Sequence, residues 1–127
     1  MRYDDFIWSV QARIGRPRDE SETLVHATLR VLAERLNADE AYDLRAQLPR
    51  PLQSDLIPPE PEAHSFESED FAVRVARMAR LSKEEARNGM VAVLATTREA
   101  VSPGEFDDVL AQLGREFAGL LPGSSRA

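Results

Sequence analysis

The chain has 127 residues, 43% of them hydrophobic and 30% charged, and carries 16 Lys and Arg against 22 Asp and Glu for a net charge of −6. That is enough for one domain-sized core and too little for two independent ones. The absence of cysteine excludes disulfides, thiolate catalysis and Cys-based zinc sites, and an acidic balance in both halves argues against a broad nucleic-acid footprint.

Met1-Arg2-Tyr3-Asp4-Asp5 places acids where a secretory signal would carry bases, and no run approaches the length of a membrane span. The expectation is a cytoplasmic protein. Fifteen arginines against a single lysine, Lys83, fit a GC-rich bacterial genome.

In chain order, Phe6, Ile7, Val10 and Ile14 recur at helical spacing and predict a first helix over 3–14, ended by Gly15 and Pro17. Asp19 is placed to cap a longer second helix with Leu24, Val25, Leu29, Leu32 and Leu36 on its inward stripe. Asn37-Ala38-Asp39-Glu40 reads as a capping box, in which the Glu40 carboxylate would reach back to the cap amide. It opens a third helix carrying Ala41, Leu44 and Leu48. Pro49 and Pro51 end that helix and start a short fourth segment reaching about Leu56 and Ile57.

Pro58-Pro59-Glu60-Pro61-Glu62-Ala63 cannot continue a helix and predicts a stiff, extended linker over 58–66, with His64 solvated. Ser68 can cap a fifth helix with Phe71, Val75 and Met78 inward. Ser82-Lys83-Glu84-Glu85 and Ser102-Pro103-Gly104-Glu105 are capping boxes for a sixth and a seventh. Phe117, Leu120 and Leu121 close a last short helix, and 123–127 reads as a flexible tail.

A constant offset of 65 residues relates these segments. Asp5-Phe6 falls on Asp70-Phe71, Leu29 on Leu94, Glu40 on Glu105, Ala46-Gln47-Leu48 on Ala111-Gln112-Leu113, and Arg50 on Arg115. The fold expected is therefore all-α: two pseudo-symmetric tandem repeats, 3–57 and 68–122, of about four helical segments each, packed as one helical bundle over 1–122. Neither copy is large enough to stand well alone.

The paired motifs Leu36-Asn37-Ala38-Asp39-Glu40-Ala41 to Ala46-Gln47-Leu48-Pro49, and Val101-Ser102-Pro103-Gly104-Glu105-Phe106 to Ala111-Gln112-Leu113, together with the opening Phe6-Ile7-Trp8-Ser9-Val10, resemble the bacterial "domain of unknown function 2267" family. Two departures stand out. Gly114 replaces the proline of the second motif, and the Gly-Trp often found after the first copy is missing. The resemblance implies a fold but no activity, so it carries over no catalytic residue.

Among polar residues, the repeated pair Gln47 and Gln112 could grip a ligand from two sides; the plainer reading is that each braces a helix end. Arg50 and Arg115 would pair with Asp43 and Asp108. Arg74, Arg77 and Arg80, with Lys83 and Arg87 near, could join Arg13, Arg16 and Arg18 as one basic patch, although alternating acids favour a solvated face. Glu22 and His26 make at most half a metal site, because the second copy has Arg87 and Val91 there, and a surface ion pair is the better reading. Trp8 corresponds to Val73, so packing in the core or between copies is expected. The serines stand near helix starts, and no nucleophile elbow or phosphate-binding glycine loop is present.

No cofactor or metal is implied. The functional expectation is a non-enzymatic binding or protein-interaction module, with a protein partner or a second copy as its target. The alternatives are a small-ligand sensor with a cavity between the copies and, more weakly, nucleic-acid binding through the arginines.

Overall fold

A computed structural model describes residues 1–122, and the tail expected at 123–127 lies outside them. Eight helices follow one another: α1 (Tyr3–Ile14), α2 (Arg18–Arg35), α3 (Ala38–Gln47), α4 (Arg50–Gln53), α5 (Ser68–Ala79), α6 (Lys83–Ala100), α7 (Pro103–Leu113) and α8 (Arg115–Leu120). There is no strand among the described residues, and no helix among them is long and apolar enough to cross a membrane. Each helix of the second half starts 65 residues after its counterpart in the first.

Local chemistry sets the helix ends. α1 begins with Asp4 and Asp5 beside its free amides and ends at Gly15, whose positive φ of 67° turns the chain while its N–H bonds the Gln11 carbonyl. The counterpart of Gly15 is Arg80, held at φ 58°, a conformation that costs a side chain about 1 kcal/mol. Ser82 and Glu85 form the reciprocal capping box expected of them. Two expected caps are corrected. α2 starts two residues earlier than Asp19 allows, with Pro17 at its N-cap, because proline's fixed φ already suits the entry. Ser68 is inside α5, and its backbone N–H is bound by Glu116 Oε1 at 2.8 Å.

The four long helices exchange partners. α1 packs on α6 as well as on α2, α5 packs on α2 as well as on α6, and α2 crosses α6. One continuous core results, with Phe6, Phe71, Phe106 and Phe117 among its largest fully buried side chains. α3 pairs with α7 at one end of this bundle.

The crossing of α2 and α6 is unusually close at one point. Leu24 is 1% exposed and fills the space above Gly89, which stands 65 residues later. A Cβ at position 89 would lie 2.6 Å from Leu24 Cδ1 and 2.8 Å from Leu24 Cγ. Two leucines at this crossing would collide; one leucine and one glycine interlock.

Two aromatic or apolar positions depart from expectation. Trp8 is 69% exposed, because it is two residues from both Phe6 and Val10 and so points away from the stripe they define. Met78 is 43% exposed at the edge of the α2–α5 contact, where the inward positions of α5 are taken by Phe71, Ala72 and Val75. The linker is also less free than its prolines suggest. The Pro61 carbonyl accepts the Ala38 N–H at 2.9 Å, the His64 N–H donates to Glu34 O at 2.9 Å, and Phe66 is buried. His64 is half-exposed and bonds Glu60 within the linker.

Gly89→Ala is therefore expected to destabilise the protein by about 1–3 kcal/mol through overpacking, although alanine is the better helix former by about 1 kcal/mol. Adding Leu24→Ala should reverse the sign of the Gly89→Ala effect. Urea unfolding measures both; a single Gly89→Ala variant as stable as the parent contradicts the interlock.

Candidate functional site

Gln47 and Gln112 do come to equivalent places, and their work is to brace. Gln47 Oε1 accepts the Ser102 N–H at 2.7 Å, and Gln112 Oε1 accepts the Asn37 N–H at 2.9 Å. The last residue of α3 thus serves the start of α7, and the end of α7 serves the start of α3, so the two helices run antiparallel. The cap side chains behave as expected, Asn37 Oδ1 accepting from Glu40 N at 2.9 Å and Ser102 Oγ from Glu105 N at 3.2 Å.

This exchange corrects the reading of Asn37–Glu40 and Ser102–Glu105 as closed capping boxes. The cap amides are already taken by glutamines from the other half, which leaves both glutamates released. Glu40 and Glu105 turn inward and are only 8% and 9% exposed. Glu40 Oε2 and Glu105 Oε2 are buried without a hydrogen-bond partner. Burial, then the hydrogen bond that its protonated form donates to Glu40 and the charge of Glu40, then the charges of Asp43 and Asp108 push the Glu105 pKa from its ordinary 4.5 up to about 8.

Arg50 and Arg115 are exposed, and neither pairs with Asp43 or Asp108 among the described residues. The arginine that does brace helix and turn is one the sequence did not mark. Arg35, 7% exposed, donates from Nε to Phe66 O at 2.8 Å, from Nη1 to Gln112 O at 2.8 Å and from Nη2 to Leu113 O at 2.9 Å. It closes the carbonyl end of α7, where a cation is favoured by the helix dipole, and lies over the Phe117 ring. Burial lowers its pKa from the ordinary guanidinium value. Its counterpart is Ala100, so the 65-residue offset hides it.

Of the two arginine clusters, Arg87 does come beside Arg13 and Arg16 at one groove, while Arg74 and Arg77 line another. Arg74 binds Glu34 at 2.7 Å and stacks on Phe66 with its guanidinium 4.0 Å from the ring centre; with the exposed Arg77 it lines the edge of the α2–α5 contact. Arg80 is exposed at the end of α5. Arg13 binds Glu99 through both nitrogens, at 3.1 and 2.6 Å, and Arg16 binds Glu20 at 2.7 Å and also Glu85. Arg18 binds Asp4, and Lys83 binds Glu69.

His26 is half-buried, and its partner is Asp55, not Glu22 as its spacing on α2 suggested. Asp55 is 3% exposed and also accepts from Arg30 Nε at 2.9 Å. On its other side His26 Nε2 is 3.3 Å from the Tyr3 hydroxyl, which donates to Glu22 at 2.5 Å. An Asp–His–Tyr chain has the outline of a proton relay. Burial and the Glu22 hydrogen bond, however, push the Tyr3 pKa up to about 12, which holds its proton in place. The hydrogen bond to Asp55 raises the His26 pKa. The chain ties α1, α2 and the turn after α4 together.

Two counterpart grooves flank the bundle. Glu22, Thr23, His26, Ala27, Arg30 and Met78 line the one between α2 and α5. The positions 65 residues away, Arg87, Asn88, Val91, Ala92, Ala95 and Arg13, line the one between α1 and α6. Where the first has His26 and Arg30, the second has Val91 and Ala95. The two hollows measure about 480 and 550 Å³, and the second is also lined by Ile14, Leu24, Arg16 and Glu85.

These features define an all-α bundle whose polar side chains tie helix ends and whose surface carries two counterpart grooves, one of them lined by three arginines and several apolar side chains. The family model described as uncharacterized conserved protein (DUF2267) matches residues 3–120, and the chain belongs to that family, as its Gln-Leu motifs suggest. No curated protein matches it.

Two measurements check the polar seam. Gln47→Ala and Gln112→Ala should each cost about 0.5–1 kcal/mol in urea unfolding by stranding a helix-start amide. Because the Glu105 pKa is raised in the fold, the stability linked to it is full below about pH 4.5 and is lost as pH rises toward about 8. With EDTA present, Tm should fall from pH 5 to pH 9, and Glu105→Gln should flatten much of that fall; a profile unchanged by the substitution contradicts it.

Proposed function

We propose that this protein is a non-enzymatic binding module built from two tandem repeats, and that its α1–α6 groove takes an acidic, partly apolar segment of a protein partner. The observation that carries this reading is the divergence of the two counterpart grooves. At the positions where one presents His26 and Arg30, the other presents Val91 and Ala95, which places apolar side chains beside the arginines of its lining. Apolar floors with a few convergent charges are the general form of binding sites.

The rim supports the choice of an acidic ligand. Arg13 and Arg16 are already held in place by Glu99, Glu20 and Glu85, which fixes their guanidinium groups before a ligand arrives. Arg87 has no ion-pair partner among the described residues, and a carboxylate would supply one. The size of the groove also suits a small carboxylate ligand, which is the second reading. Gln47 and Gln112, committed to helix starts, lie outside it. A bacterial cytoplasmic setting fits the composition and belongs to the same proposal.

Val91→Glu with Arg87→Glu makes the groove acidic at two partly exposed positions and leaves the buried Ala95 in place. The expected outcome is an unchanged Tm with loss of a partner that the parent protein retains in affinity capture from its host's extract. Identical capture by parent and double variant overturns the groove as the binding surface.

A further inference from the structure

The groove leaves unexplained a cluster of acids at the α3–α7 seam that has no cationic partner among the described residues. Glu40 and Asp43 on α3 and Glu105 on α7 each offer a carboxylate oxygen, and these oxygens all lie within 4.8 Å of one another. Glu40 and Glu105 are more than nine-tenths buried, and one oxygen of each has no hydrogen-bond partner. No Arg, Lys or His pairs with any of the three among the described residues. Their helix-start amides do not answer the charge either, since Asn37 and Ser102 take the Glu40 and Glu105 N–H groups and Gln112 and Gln47 take those of the caps.

We propose that Glu40, Asp43 and Glu105 hold one hard divalent cation, Ca²⁺ or Mg²⁺ in type, that clamps α3 to α7 and so joins the two halves of the chain. Carboxyl groups this close in a buried seam cannot both ionise without strong repulsion, and a divalent ion lets them do so by turning that repulsion into two bonds. The donor set decides the class of ion. It is all oxygen and all carboxylate, which suits Ca²⁺, Mg²⁺ or Mn²⁺ and offers zinc or copper none of the nitrogen or sulfur they favour. Both histidines are engaged elsewhere, His26 with Asp55 and His64 with Glu60. Glu40 and Glu105 supply the buried face of the site. Asp43 is exposed and provides both the route of entry and the side on which water completes the coordination. The ligands come from both halves, so the ion would bind the folded chain and not the unfolded one, and would stabilise by that difference.

The test uses the full chain, stripped with EDTA, dialysed and held at pH 7.5. CaCl₂, MgCl₂ and MnCl₂ are added separately, with Tm and titration calorimetry as readouts. The expected result is one-to-one binding of at least one of these ions and a rise in Tm of about 5 °C at a tenfold excess over Kd. Glu105→Gln and Glu40→Gln should abolish that rise while leaving the metal-free protein at least as stable as the parent, because each removes a buried charge. Asp43→Asn, at an exposed position, should weaken the affinity about tenfold without altering the metal-free Tm, and serves if a glutamine variant fails to fold. Asp39→Asn, on the same helix but outside the cluster, should bind as the parent does. No binding of any of the three ions to the parent protein overturns the proposal, as does an equal Tm rise in the parent and in Asp43→Asn or Glu105→Gln.

Discussion

The crossing of α2 over α6 is the contact on which the remaining structure depends. Each half of the chain contributes a long helix with an apolar stripe wider than its own partner helix can cover, and the exchange of α1 onto α6 and α5 onto α2 completes that cover. The exchange requires the two central helices to approach closely, which two large side chains at the crossing would prevent. Leu24 and Gly89 meet that requirement by being unequal. The near-repetition of the chain is broken at the point where strict repetition would place a residue against its own counterpart.

A second consequence of the exchange appears at the end of the bundle where α3 meets α7. A helix start is ordinarily closed by its own cap and its own third residue. Here Gln47 and Gln112 cross over and do half of that work for the opposite helix. The side chains thereby released are two glutamates, and they are released into a seam that is nearly dry. A hydrogen-bonding economy that is satisfied for the backbone thus leaves an electrostatic debt in the side chains. Arg35 closes the far end of α7 through backbone carbonyls, so the two halves are joined by such hydrogen bonds as well as by the ion pairs Arg13–Glu99, Arg16–Glu85 and Arg74–Glu34.

The groove follows from the same geometry. Because α1–α6 and α5–α2 are counterpart contacts, they create two similar hollows, and substitution at a few positions decides what each becomes. His26 and Arg30 are drawn to Asp55 and line one. Asp55 has Leu120 as its counterpart, so nothing in the second half calls for a cation at Val91 or Ala95, and the other hollow has apolar side chains there.

The number of helices, their lengths and most of the core were legible in the sequence, since helical spacing of apolar residues and the placement of Gly, Pro and capping residues are local signals. Phe6, Val10, Leu24, Leu29 and their counterparts were readable because each lies on a stripe within a single helix. Trp8 misled because its residue type outweighed its position on the turn. Arg35, the His26–Asp55 pair and the release of Glu40 and Glu105 carried no local mark, and in the first two cases the offset removed even the help of a second copy. By itself the sequence determined the all-α class, the order of the helices and the family. Only the tertiary structure decided which glutamine caps which helix, which acids become buried and what lines each groove, because each of these depends on groups that are 25 to 78 residues apart in the chain and meet only when the chain folds.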